Sequence, residues 1–95
     1  MKKVFELENR NGIDEGTLLV SIIDTIADKR PCKFTVENVG LCDRESTYND
    51  VNDFVYQFSY ECWCACNESN RYAQSLTIWA DGDTLDIEIV WRKQR

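Results

Sequence analysis

Five cysteines, Cys32, Cys42, Cys62, Cys64 and Cys66, are the residues best equipped for chemistry in this sequence. A structural zinc site draws two thiolates together from a C-x-x-C knuckle, and none of the five has that spacing. Cys62, Cys64 and Cys66 alternate, so on a strand they point the same way with Cα atoms roughly 6 to 7 Å apart, a poor fit for a local chelate. An odd number cannot pair completely. The reading is therefore reduced thiols in or near the core, where cysteine behaves as a small hydrophobe, with disulfides or a metal as the alternatives. No cofactor is expected.

The sequence has no histidine, which removes the commonest general base and the usual partner of a nucleophilic cysteine or serine. Gly12, Gly16, Gly40 and Gly82 are too scattered for a phosphate-cradling loop. Asp81-Gly82-Asp83 with Asp86 and Glu88 departs from the calcium-loop pattern, whose last ligand position falls on Arg92. A plain hairpin turn accounts for it. An enzyme is not expected.

The charge, -6 overall, is unevenly placed. Residues 1–36 carry six acids and six bases, whereas residues 37–91 carry eleven acids against Arg44 and Arg71, before a basic end of Arg92, Lys93 and Arg95. A phosphate backbone repels so acidic a surface, so direct nucleic-acid binding is disfavoured and a basic partner is favoured. A content of 43% hydrophobic residues, 12% of the chain being aromatic, argues for a packed globule. Ninety-five residues suffice for a single domain, 1–95. No apolar run approaches the ~20 residues of a membrane span, and Glu6 and Glu8 interrupt what would be a leader, so the expected compartment is cytoplasmic.

The elements that would position these groups follow from periodicity. Lys3 to Glu8 alternates as a short strand, followed by a turn from Asn9 to Gly12. Asp14 then caps a helix with Leu18, Leu19, Ile22, Ile23 and Ile26 inside, stapled by Ile13 and Leu18 and stopped by Pro31. Cys32 to Val39 is a strand, and Gly40 to Asp53 a polar connection that is either functional or hides a helical turn near Tyr48 to Asp53. Phe54 to Cys66 alternates and is read as a strand, while Val51, Phe54, Val55, Phe58 and Cys62 also make a helical stripe that Asn49 or Asp50 would cap. Asp81-Gly82 as a two-residue turn sets Ile78 opposite Leu85, Leu76 opposite Ile87 and Tyr72 opposite Trp91, with Gln74 as a blemish on the apolar row. Arg71 then faces Arg92, with Glu68 as the acid between them. The expected fold is α+β, one amphipathic helix on a mainly antiparallel sheet in the order β-α-β-β-β-β. A second helix at about 49–64 is the alternative.

On these registers Glu61, Trp63, Trp79, Asp86 and Glu88 share the outer face of the sheet, with Asp81 and Asp83 at its hairpin tip. Exposed indole flanked by carboxylates suits a basic protein partner, the ring supplying area and the acids supplying steering. The competing reading is that a loop, another strand or a second copy covers this face.

In size, acidity and lack of motifs, the chain resembles the small phage inhibitors of bacterial defence, such as anti-CRISPR proteins and DNA-mimicking nuclease or glycosylase inhibitors. That resemblance is one of composition over the whole chain and carries over no functional residue. It implies a stoichiometric binder that occupies the basic groove of a nucleic-acid-handling protein, as a monomer or homodimer. The alternatives are an immunity protein for a basic toxin, a cysteine-based metal or thiol protein, and a homodimeric structural module.

Overall fold

The computed structural model describes residues 1–41, 45–64 and 70–93. Along these residues the chain forms β1 (Lys2–Ile13), α1 (Glu15–Lys29), β2 (Lys33–Val39), β3 (Glu45–Tyr48), α2 (Val51–Trp63), β4 (Arg71–Asp81) and β5 (Thr84–Lys93). The α+β class with a mainly antiparallel sheet is as expected. The order is β-α-β-β-α-β-β, which corrects the single-helix arrangement and adopts the alternative with a second helix.

The five strands lie in the order β1-β4-β5-β2-β3, and every neighbouring pair is antiparallel except β2 with β5. β1 and β2 consequently run the same way with two strands between them, and α1 makes the crossover that such a pair needs. α2 does the same for β3 and β4.

Both helices follow from their local sequence. Asp14 caps α1, accepting from the Thr17 backbone N–H at 3.0 Å and from the Thr17 hydroxyl at 2.6 Å. Ile13 and Leu18 flank that cap and are both buried. Arg30 closes α1 in the left-handed region, its N–H donating to the Ile26 carbonyl at 2.8 Å, one residue before Pro31. Asp50 caps α2 by accepting from the Asn52 N–H at 2.8 Å.

Phe54, Phe58 and Cys62 of α2 are fully buried, whereas Tyr56 and Tyr60 are exposed. Burying each phenylalanine contributes about 1.5 to 3 kcal/mol. The 3.6-residue stripe thus won over the period-two alternation, because a strand here would have required every even-numbered aromatic to be inside.

One core cluster joins Leu18, Ile22 and Ile26 of α1 and the three buried α2 residues to the sheet side chains Phe34, Val36, Leu76, Ile78, Leu85, Ile87, Ile89 and Trp91. At one end the rings of Phe34, Tyr48, Phe54 and Phe58 pack with centroids 5.2 to 5.6 Å apart. Both helices therefore cover one side of the sheet. No described helix is long and apolar enough to cross a membrane.

Several local expectations are corrected. The hairpin turns on Gly82-Asp83, with Gly82 at φ 60° and Asp81 opposite Thr84, so Ile78 faces Ile87 and Leu76 faces Ile89. This is a shift of two residues, which preserves which face each side chain occupies. Gln74 sits in a bulge between the Ala73–Trp91 and Ser75–Val90 pairs, and its side-chain oxygen accepts from Arg92 Nε. The bulge removes the blemish by letting Ala73 take the buried place. It also puts Tyr72 opposite Arg92 and Arg71 opposite Lys93.

β1 continues through the expected Asn9–Gly12 turn, which instead becomes an irregular stretch before Ile13 pairs with Ala73. The polar connection contains the edge strand β3. Cys42, Cys66 and Glu68 lie outside the described residues.

Candidate functional site

The side of the sheet away from the helices is built from strand alternation. Val36 and Asn38 are buried on the helix side, so Thr35, Glu37 and Val39 point the other way; Ile87 and Ile89 do the same for Asp86, Glu88 and Val90. None of the described residues on this face is buried.

The pairings align them in rows across the sheet. One row is Glu6, Thr77, Glu88, Glu37 and Glu45, which places a glutamate on four of the five strands. The neighbouring row is Lys3, Trp79, Asp86, Thr35 and Thr47. Since adjacent strands lie about 4.8 Å apart, the Glu45, Glu37 and Glu88 carboxylates are held closer than unpaired charges prefer.

The electrostatic cost shows at Glu37. Burial pushes its carboxyl above the usual range, and the charge and hydrogen-bond contact of Asp86, then the charges of Glu45 and Glu88, push it further. Asp86 Oδ1, in the same cluster, is shielded from solvent and has no hydrogen-bond partner among the described residues.

The described ion pairs, Lys3 with Glu6 and Lys29 with Asp28, leave Glu37, Glu45, Asp86 and Glu88 without a basic partner among the described residues. Trp79 is half-buried at the edge of this cluster, with Lys3 Nζ 5.5 Å above its ring centre. Asp81 and Asp83 are exposed at the hairpin tip, where the Asp83 carbonyl accepts from Cys32 N at 2.8 Å and the Asp81 carbonyl from the Thr84 hydroxyl at 2.8 Å.

The structure thus brings Trp79, Asp86 and Glu88 together and sets Asp81 and Asp83 beyond them at the tip. It takes Glu61 and Trp63 away. Both belong to α2, on the opposite side of the sheet, because their segment is a helix and not a strand. Glu61 is half-buried and accepts from Asn38 Nδ2 at 3.0 Å. Trp63 is exposed on the outside of that helix.

Glu6, Glu37 and Glu45 complete the acidic row and were not anticipated. Alternation with Phe34 and Val36 was the available signal for Glu37. Its neighbours depended on the parallel β2–β5 pairing, which no local pattern announces.

The cysteines are dispersed as well. Cys32 is exposed ahead of β2, Cys62 is buried in the α2 stripe and Cys64 is half-buried at the end of that helix. The described residues contain no cluster of three or more cysteine, aspartate or glutamate side chains arranged to hold a metal ion.

These features define a two-layer α+β domain with an acidic, indole-edged open sheet. Comparison with protein-family models, curated proteins and solved structures finds no match to the chain.

Proposed function

We propose that the protein is a non-enzymatic, stoichiometric binder. Its open sheet face occupies the basic, nucleic-acid-binding groove of another protein, in the manner of the phage inhibitors of bacterial defence. The observation that supports this reading is the glutamate row Glu6–Glu88–Glu37–Glu45 with Asp86 beside it, held on the sheet with no basic partner, among the described residues, on four of the five acids.

Burial first, and then the carboxyls of Asp86, Glu45 and Glu88, raise the Glu37 pKa, so a charged Glu37 disfavours the free domain. A cationic groove would relieve that repulsion on contact, which makes the same residues favourable in a complex. The Trp79 ring at the edge adds area that a partner can desolvate.

The test is capture from a bacterial lysate on the immobilised chain, beside a variant carrying Glu37→Gln, Glu45→Gln and Glu88→Gln. The expected result is a basic nucleic-acid-binding protein that the variant fails to retain, that elutes with moderate salt, and that duplex DNA displaces. Retention of the same proteins by both forms, or a captured protein indifferent to DNA, overturns the reading.

A further inference from the structure

β1 ends the sheet, and among the described residues no strand lies beyond it. From Lys2 to Glu8 it pairs with β4 on one side only, so about half of its backbone N–H and C=O groups there turn outward with no strand to receive them. Val4 is an extra residue between the Lys3–Trp79 and Phe5–Ile78 pairs, a bulge that bends this edge. The other edge of the sheet, β3, is only four residues long.

Beside the β1 edge a groove of about 270 Å³ opens toward α1. Val4 and Phe5 line it from the strand, and Ser21, Asp24, Thr25 and Asp28, which recur every one to three residues along one flank of α1, line it from the helix. Lys29 lines it too and pairs with Asp28 across 3.5 Å, while the Thr25 hydroxyl donates to the Ser21 carbonyl at 2.8 Å. Asp24 is exposed and has no ion pair among the described residues. The groove thus offers an apolar wall and one uncommitted carboxylate, which complements a lysine or arginine with its long aliphatic stem.

We propose that β1 and the groove beside it bind an extended, basic segment of a partner protein by strand addition. The segment pairs with the free backbone of β1 and lays a lysine or arginine along Val4 and Phe5, with its charge at Asp24. Backbone pairing supplies the affinity of such an addition, and a pocket for one of the alternating side chains supplies its selectivity. A second copy of the chain is a poorer occupant. Centring two antiparallel β1 strands on Glu6 or on Leu7 sets Glu6 opposite Glu6 or Glu8, and like charges directly opposed are destabilising.

The experiment is a titration of the isotopically labelled full chain with a short synthetic peptide of alternating valine and threonine around a central arginine, followed by backbone amide NMR. One twin carries glutamate in place of the arginine, and two more are N-methylated at alternate residues, one for each parity. The signals of β1 and of residues 21–29 are expected to move. The arginine peptide binds at least about threefold tighter than its glutamate twin, Asp24→Asn removes most of that difference, and only one of the N-methylated twins binds. Asp24 is exposed on α1, so the amide variant tests its charge without disturbing the core.

Unmoved β1 signals, a preference that Asp24→Asn leaves intact, or equal binding of the two N-methylated twins overturns the proposal. So does a dimer of the free chain that the peptide dissociates, which would make a second copy the occupant. Binding is expected to persist in the Glu37→Gln, Glu45→Gln and Glu88→Gln variant; its loss there would move the peptide to the sheet face and overturn the proposal as well. A sheet face that captures nothing leaves the β1 shifts in place, so a failure of that reading is told apart from a failure of this one.

Discussion

Trp91 donates its indole N–H to Asn38 Oδ1 across 3.0 Å, at the centre of the sheet and on its helix-covered side. Asn38 is only 3% exposed, and its amide hands the interaction on to Glu61 of α2 at 3.0 Å. A buried asparagine is tolerated here because both ends of its side chain are engaged. The chain of contacts ties the last strand, through β2, to the second helix.

Asn38→Leu leaves the Trp91 N–H buried without an acceptor and is expected to cost about 2 to 3 kcal/mol in urea unfolding. Glu61→Gln keeps an acceptor for Asn38 and is expected to stay within about 1 kcal/mol of the parent. Equal losses in the two variants would show that Glu61 contributes its charge and not its hydrogen bond.

Glu37 yields a prediction in pH. Its raised pKa means that the folded protein holds this proton to higher pH than the unfolded chain does. Stability is therefore greatest, for this group, below the ordinary glutamate range and falls as pH rises from there through the raised value. Glu37→Gln is expected to flatten that slope and to raise stability at neutral pH by a few tenths to about 1 kcal/mol, the size of a like-charge cross-strand contact. Urea unfolding of both proteins from pH 4 to pH 8 measures it, and parallel curves would contradict it.

α2 supplies the sharpest test of its own geometry. Phe54→Ala empties a fully buried site and is expected to cost about 3 to 5 kcal/mol, while Tyr56→Ala, two residues away, stays within about 0.5 kcal/mol. Were this segment a strand with its even-numbered residues inside, the two losses would be alike. Thermal and urea unfolding of the pair decides the matter.

Two glycines with positive φ separate backbone freedom from close approach. At Gly40, φ is 86° and an added Cβ would stand 2.5 Å from the Trp91 carbonyl oxygen; at Gly82, φ is 60° and nothing lies within 4 Å. Gly82→Ala is expected to cost about 1 kcal/mol for conformation alone. Gly40→Ala adds a clash with the β5 backbone and is expected to cost about 3 kcal/mol or more. The comparison is read from their urea midpoints.

The residues show why some of this was legible in the sequence. The first helix announced itself through three consistent signals, the Asp14 cap, the Leu18–Ile22–Ile26 stripe and the Pro31 stop. The faces of β4 and β5 were likewise readable, since a register error of two residues leaves inside and outside unchanged. Phe54 to Cys62 satisfied both periods at once, and only the presence of a sheet to bury Phe54 and Phe58 chose between them. That choice moved Glu61 and Trp63 off the open face. The glutamate row was illegible for a different reason: Glu37 meets Glu88 through a parallel pairing of strands far apart in sequence, a contact that tertiary topology sets and no local motif records.

That β5 lies between β4 and β2 has a consequence for how the molecule is made. During synthesis the ribosome releases the middle of the sheet last, so β1, α1, β2, β3 and α2 must wait with their apolar sides uncovered. Long-range closure of this kind slows folding relative to chains that assemble from neighbours. A nascent chain halted before Thr84 would lack its keystone and be a natural client for holding chaperones.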